Sequence, residues 1–398
     1  MNQRLTEEEL IAIRRDLHAH PELSHHEART SGRVVELLSD STLKLRTGVA
    51  GHGVVADVVG PHPGPTLLFR ADMDALPIQE VGGRDYGSTN PGVMHACGHD
   101  VHTTVGIGVA RAVAARQSEV NGTVRFVFQP AEEAAPPPGQ SIGAELMVEE
   151  GTLDGVDAAF ALHCMPSLNV GSLGWTGGPV WAASDLFDID VSGSMAHGAY
   201  PHEGRDALLA AAQIVNALQQ VTSRNVDTRD PCVLSVCRIG SGQAYNIVPD
   251  AASLQGLLRT HSEEARSLAL RRMAEIVKGT AEAYGCTATL RTVRGTYQTA
   301  NHPQLERAVG ALVQEHHPDV RWEAFKPQMG AEDFAAFSRR VPGCYLFLGV
   351  RNEARGIVHP IHTPEFDVDE RALGIGVRTM TDTLLSAGAR WAEISQQL

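Results

Sequence analysis

An α/β architecture, a mostly parallel sheet covered by helices with a smaller domain inserted into it, is predicted by three features of the sequence. The first is a set of continuous apolar runs that end in polar residues. GPTLLFRADMD runs to Asp72, NGTVRFVFQPAEE to Glu132 and Glu133, and VDAAFALHCMP to His163, with CYLFLGV following from Cys344. Runs without alternation suit strands buried on both faces. The second feature is helical periodicity between the runs. In 100–116 it places Val101, Val105, Val109, Ala112 and Val113 on one stripe. The third is a change of pattern in the middle of the chain, where DLFDIDVSG alternates strictly.

That middle region predicts its own unit. Phe187, Ile189 and Val191 face one side of a half-exposed strand and Asp188 and Asp190 the other. A helix over 206–224 follows, with Leu208, Ala211, Val215, Leu218 and Val221 as its stripe. Strands near 233–239 and 253–259 come next. Ser262 can cap a second helix, with Glu263 and Glu264 favourable in its first turn. A strand near 287–294 closes a βαββαβ order, the pattern of a ferredoxin-like domain. The predicted division is 1–183 with 298–398 for the outer domain and 184–297 for the insertion.

Composition narrows the function classes. A chain of 398 residues is long enough for two or three domains with sizeable cores. A net charge of -14 argues against nucleic acid or an anionic membrane as a partner. The beginning, MNQRLTEEEL, lacks the apolar core of a signal peptide, and no window approaches a spanning helix. A cytoplasmic location is therefore expected. Six cysteines scattered over this length do not make a disulfide scaffold.

Polar residues at the carboxyl ends of parallel strands are where open α/β sheets place their sites. Asp72, Glu132, Glu133 and His163 stand there. The stretch VMHACGHDVHT adds Cys97 and His99, with small neighbours that allow close approach, and the loop VHPIHTPEFD adds His362. Thiolate, imidazole and carboxylate are the usual zinc donors. Five of them exceed one tetrahedral site, and with a shared water or bridging donor they could hold two ions. Taken singly, each of these histidines is more often a packed or surface residue. Glu132 beside Glu133 poses a charge problem that a cation would relieve, leaving one carboxylate to ligate and the other to hold an attacking water. A solvated acidic turn is the plainer alternative. Asp72 and Asp74 could orient a ligand imidazole, with Asp100 a rival for the same task or an extra ligand. Helix or turn capping would explain all three as well. HExxH, a dinucleotide fingerprint and a P-loop are absent from the sequence.

Nine segments occur in order from end to end: RRDLHAHPEL, FRADMDALP, MHACGHDVH, FQPAEE, ALHCMPSLNVG, AHGAYPH, AYNIVPD, MGAEDF and IHTPEFD. Together they resemble the metal-dependent aminoacylase/carboxypeptidase family of amidohydrolases. The resemblance is to the branch of hippurate hydrolases, indoleacetyl-amino-acid hydrolases and N-acetyl-diaminopimelate deacetylases. It implies a dinuclear catalytic domain and an inserted lid that also dimerises, giving a homodimer or higher homo-oligomer. It implies Cys97, His99, Glu133, His163 and His362 as ligands of two divalent ions, zinc first, with manganese, cobalt or nickel as substitutes. It further implies Glu132 as general base and His197 as a substrate contact from the lid, often the partner's lid. Asn246 and Arg259 match positions that hold the substrate carboxylate. The expected reaction is hydrolysis of an N-acyl amino acid to a carboxylic acid and a free amino acid. A dipeptidase or carboxypeptidase on the same site, or a metal-dependent binding protein without turnover, are the alternatives. Pro136, Pro137 and Pro138 stand where the branch more often has a short glycine-rich link, which would reshape the substrate entrance.

Overall fold

The computed structural model describes residues 4–39, 42–134, 141 and 143–398. Pro136, Pro137 and Pro138 lie outside the described residues. In chain order the longer helices are α1 (Glu7–Ala19), α2 (Ala28–Ser39), α3 (His99–Ala115), α4 (Ala207–Gln220), α5 (Glu263–Ala283), α6 (Pro303–His316) and α7 (Arg371–Ala389). The main strands are β1 (Lys44–Val49), β2 (Gly53–Val59), β3 (His62–Asp72), β4 (Asn121–Gln129), β5 (Ala158–Asn169), β6 (Ser172–Trp175), β7 (Ala183–Ser192), β8 (Cys232–Ser241), β9 (Ala251–Thr260), β10 (Thr287–Thr296), β11 (Arg321–Ala324) and β12 (Gly343–Arg351). The chain divides into two compact units. One is Met1–Val180, Ala300–Lys326 and Asp333–Leu398; the other is Trp181–Thr299 and Pro327–Glu332.

The first unit holds a sheet in the order β1-β2-β4-β3-β5-β12-β6-β11. β3 pairs in parallel with β4 and β5, and β5 in parallel with β12. The β1–β2, β2–β4 and β6–β12 pairs are antiparallel. Ala158–Pro166 of β5 and Gly343–Val350 of β12 are buried at every position, as expected of a covered sheet. α3 is buried almost all round, so the predicted stripe underestimates it: from His99 to Ala110 no position is exposed. Leu10, Leu17, Val34, Val105, Phe126, Phe160, Leu346 and Met380 belong to the single core that results.

β5 departs from the expected end at His163 and continues to Asn169, past Pro166. The reason lies in its neighbours. β3 pairs with β5 only over Ala158–Ala161, whereas β12 follows it to Asn169. Beyond Ala161 one side of β5 has no strand to serve, and a proline that donates nothing is tolerated there.

The second unit is the predicted βαββαβ: β7, α4, β8, β9, α5, β10. Its antiparallel sheet has the order β8-β9-β7-β10. Phe187, Ile189 and Val191 are buried, and Ser262 Oγ accepts the Ala265 N–H at 3.0 Å as the α5 cap. The stripe of α4 is rotated from its expected phase. Ala207, Ala210, Ala211, Ile214 and Leu218 face the core, while Leu208 is 43% exposed. The i, i+3, i+4, i+7, i+11 series through Ile214 lets small alanines approach the sheet; the series through Leu208 leaves Ile214 outside. Among the described residues, no helix is long and apolar enough to cross a membrane.

Candidate metal centre

The first unit brings Cys97, His99, Glu132, Glu133, His163 and His362 together. Donor atoms of Cys97, His99 and His163 lie within 4.8 Å of one another, as do those of Cys97, Glu133 and His362, and those of His99, Glu132 and Glu133. Cys97 belongs to two of these groups. Its Sγ is 3.5 Å from His163 Nε2, and His362 Nε2 is 3.4 Å from Glu133 Oε1. His99 Nε2 and Glu133 Oε1 are buried without a hydrogen-bond partner. Buried polar atoms are otherwise paired, so this pair of orphans in a pocket of soft and charged donors fits a divalent cation.

Local backbone explains how these residues converge. Gly98 has φ 85°, and a Cβ there would come within 2.2 Å of Cys164 Sγ; only glycine turns the chain between Cys97 and His99. Ala131 (φ 55°) and His362 (φ 62°) are left-handed although neither is glycine. Such conformations are sparsely populated and gather at functional sites. The His362 N–H is anchored on Ala96 O at 2.7 Å, which ties the late loop to the cysteine loop.

Hydrogen bonds behind the donors set their tautomers. His163 Nδ1 is 2.6 Å from Cys164 O, an acceptor, so Nδ1 carries the proton and the Nε2 lone pair points at Cys97. His99 Nδ1 is 3.2 Å from Asp74 Oδ1, which frees Nε2 for a cation. Asp74 also accepts the Glu133 N–H at 2.9 Å and the Ser24 hydroxyl at 2.6 Å. It thereby orients two candidate ligands at once, the role carboxylates play behind metal-bound imidazoles.

Asp72 also lies beside His99 but is hydrogen-bonded to other groups. Its Oδ1 accepts from His102 Nδ1 at 2.6 Å, and its Oδ2 is paired with Arg70 and lies 3.7 Å from His99 Nε2. His102 Nε2 accepts the Cys164 N–H at 2.8 Å and is thus committed to the backbone. Asp100 does not reach a ligand imidazole either: its Oδ2 is 2.8 Å from both Arg14 Nε and His18 Nδ1, in a buried network that extends to Glu80. The expected rivalry among Asp72, Asp74 and Asp100 ends with Asp74 on His99.

Charge states follow from these surroundings. Burial pushes the Cys97 thiol well up, and Glu133 and Glu132 push it further. A cation is what would turn it into a thiolate. Burial works against a charged His99, yet Asp72, Asp74 and Glu133 lift it to about 10. Burial and the nearby His102 keep His163 well below its usual value, as a neutral donor. Burial opposes ionisation of Asp72, but Arg70, His99 and His102 hold it well below the usual carboxylate range.

His197, Asn246 and Arg259 belong to the second unit. His197 sits in a two-residue strand paired with Ile247–Val248. Its Nδ1 accepts the Ala199 N–H at 3.1 Å, so Nε2 is the protonated, donating nitrogen. Asn246 O accepts the Gly198 N–H at 2.7 Å and closes the same loop. Arg259 Nη1 is buried without a partner, because Arg266 takes the nearby Asp185 with Nε at 2.7 Å. Burial lowers the Arg259 guanidinium, which an anion would offset.

His102, Glu27 and the Arg14 network escaped sequence reasoning, which named Asp74 beside Asp72 for an imidazole but not its hold on the Glu133 backbone. Asp74 sits two residues from Asp72 in the same polar strand end, the one signal that could have ranked it higher.

The chain is 39% identical over 372 residues, 93% of each chain, to thermostable carboxypeptidase 2 of Saccharolobus solfataricus. It is 41% identical to the N-acyl-L-amino acid amidohydrolase of Geobacillus stearothermophilus over 74% of this chain and 79% of that one. The crystal structure of Bacillus subtilis YXEP protein, described as a dinuclear metal binding peptidase from the M20 family, superposes with a TM-score of 0.85 at 32% identity, covering 96% of this chain and 98% of that one. The model of peptidase family M20/M25/M40 matches residues 68–386, from within β3 into α7. This chain is a member of peptidase family M20/M25/M40.

Proposed function

We propose that this chain is a metal-dependent amidohydrolase that cleaves N-acyl amino acids to a carboxylic acid and a free amino acid. The observation that carries the reading is the cluster itself: four donors around a shared thiol, with Glu132 Oε2 4.0 Å from His99 Nε2 as an extra carboxylate beside them. Cys97, His99, Glu133, His163 and His362 would hold two divalent ions. A thiolate among imidazoles favours zinc, and manganese, cobalt and nickel suit the same donors. When bound, such ions lower the pKa of water and polarise an acyl oxygen.

Glu132 accepts the proton of the attacking water and hands it to the departing amine. Its neighbour Glu133 is a ligand, so the two adjacent carboxylates divide the work of holding a cation and moving a proton. His197 offers its Nε2–H to the oxygen that gains charge as the acyl carbon becomes tetrahedral. Arg259, with its unpartnered nitrogen, pairs with the amino acid's carboxylate, and Asn246 supports that end of the substrate. The second unit acts as the lid that carries these groups and as the surface through which copies of the chain associate. All six cysteines are free, in keeping with a reducing cytoplasm.

Amine release from N-acetyl, N-benzoyl and indoleacetyl amino acids, beside a set of dipeptides, tests the reading in zinc- or manganese-loaded protein. Release from an acyl class that chelation abolishes is expected. Turnover of dipeptides alone would support the carboxypeptidase reading, which the name of the Saccharolobus relative favours. No release with metal bound would leave a binding protein.

A further inference from the structure

A buried carboxyl that the mechanism does not use lies beneath Glu132. Glu27 immediately precedes α2 and is fully buried. Its Oε1 accepts the Ala131 N–H at 2.8 Å across 104 positions of sequence, and its Oε2 has no hydrogen-bond partner. Ala131 is the left-handed residue directly before Glu132. On the other side of Glu132, Asp74 accepts the Glu133 N–H at 2.9 Å. The peptide N–H groups on either side of Glu132 are thus each gripped by a buried carboxyl.

The segment that delivers Glu27 is itself constrained. His25 is left-handed at φ 68°. The Ala75 N–H is bonded to Glu22 O at 2.8 Å, and Ser24 Oγ donates to Asp74 Oδ2 at 2.6 Å. The left-handed His25 lies two residues before Glu27, and the left-handed Ala131 donates its N–H to the Glu27 carboxyl. Conformations of this kind persist only where their surroundings over-determine them. Ala131 alone gains nothing from its φ; what the turn accomplishes is a direction for the next side chain.

We propose that Glu27 is a positioning residue that holds Ala131 in its left-handed conformation and so aims the Glu132 carboxylate at the attacking water. The proposal rests on Glu132 as general base. Burial raises the Glu27 carboxyl to about 7, and a carbonyl-type oxygen accepts from Ala131 whether or not the group is ionised. An amide should therefore replace it, whereas a side chain without an acceptor should not.

The experiment compares Glu27→Ala, Glu27→Met and Glu27→Gln, each in the natural chain and in a Glu132→Gln background. It reads kcat, KM, bound metal and melting temperature on the best N-acyl amino acid of the panel. In Glu27→Ala and Glu27→Met, kcat should fall about 10- to 100-fold with KM and metal content unchanged, the pattern of lost orientation in the transition state. Glu27→Gln should restore kcat. In the Glu132→Gln background the Glu27 variants should lower the residual rate no further, because both act through one group. An equal loss in both backgrounds, no rescue by glutamine, or failure of both acceptor-free variants to fold would each overturn the proposal. Full turnover in Glu132→Gln alone would remove the base and this role together; normal kcat in Glu27→Ala beside an inactive Glu132→Gln would remove this role only.

Discussion

Around the metal centre the donors are held from behind. Asp74 grips His99 and the Glu133 backbone, Cys164 O fixes His163, and Ala96 O anchors His362. In the second unit the proposed substrate groups are held less: the His197 ring has one backbone bond, from the Ala199 N–H at 3.1 Å. His197 and Asn246 are exposed, and Arg259 Nη1 has no partner. Bracing costs rotamer and backbone freedom once, during folding; unbraced groups lose theirs when a ligand arrives. The difference teaches where each half of the work is prepared. On the proposed reading, the cation side is preorganised by folding and the substrate side is left to be ordered by substrate.

The largest test of that division is at the proton carrier. Glu132→Gln should keep its metal and lose about 10²- to 10⁴-fold in turnover, the range of a general base. Metal analysis beside steady-state kinetics checks it, and retained turnover would remove Glu132 from the role. His197→Ala comes next. It should cost about 10²- to 10³-fold in kcat as a lost oxyanion donor. Because the residue is exposed and held by a single backbone bond, melting temperature and metal content should move little; a large loss of stability would erase the contrast between the two units.

Asp74→Asn should weaken metal binding by about 10- to 100-fold, as changes behind ligands do. Titration against a chelating indicator measures it. A matching loss from Asp100→Asn would show that the network with Arg14 and His18 serves the ligands after all. The smallest effect concerns pH. The folded state raises Glu27 from 4.5 to about 7, so its contribution to stability is fully present below about 4.5 and is lost as pH rises through 7. Glu27→Gln cannot lose it. Its melting temperature should therefore rise relative to the natural chain between pH 5 and pH 8, by at most about 3 kcal/mol of stability at 1.36 kcal/mol per pKa unit. Glu80, held at about 2 against burial by His18 and the Ser88 N–H, has the opposite sign: its contribution is present above about 4.5 and fades towards pH 2.

What was legible in the sequence follows the same physics. Apolar runs and their polar ends are local signals, and they located β3, β4, β5, β12 and the polar groups Asp72, Glu132, Glu133 and His163, the last inside β5 rather than at its end. Alternation and caps located the βαββαβ unit through Phe187, Ile189, Val191 and Ser262. The phase of α4 was missed because alanines carry little hydrophobic weight, and the end of β5 because pairing on one side only is not written in its own residues. The supports behind the donors were least visible. Glu27 reaches Ala131 across 104 positions and Arg14 reaches Asp100 across 86, pairings that no local spacing encodes.

The most direct test of the shared-thiol centre is metal content with the optical spectrum of the cobalt-substituted protein, read against Cys97→Ser. Two ions per chain are expected, with a thiolate-to-cobalt absorption band that vanishes in Cys97→Ser. One ion per chain, or two without a thiolate band, would contradict a centre built around Cys97.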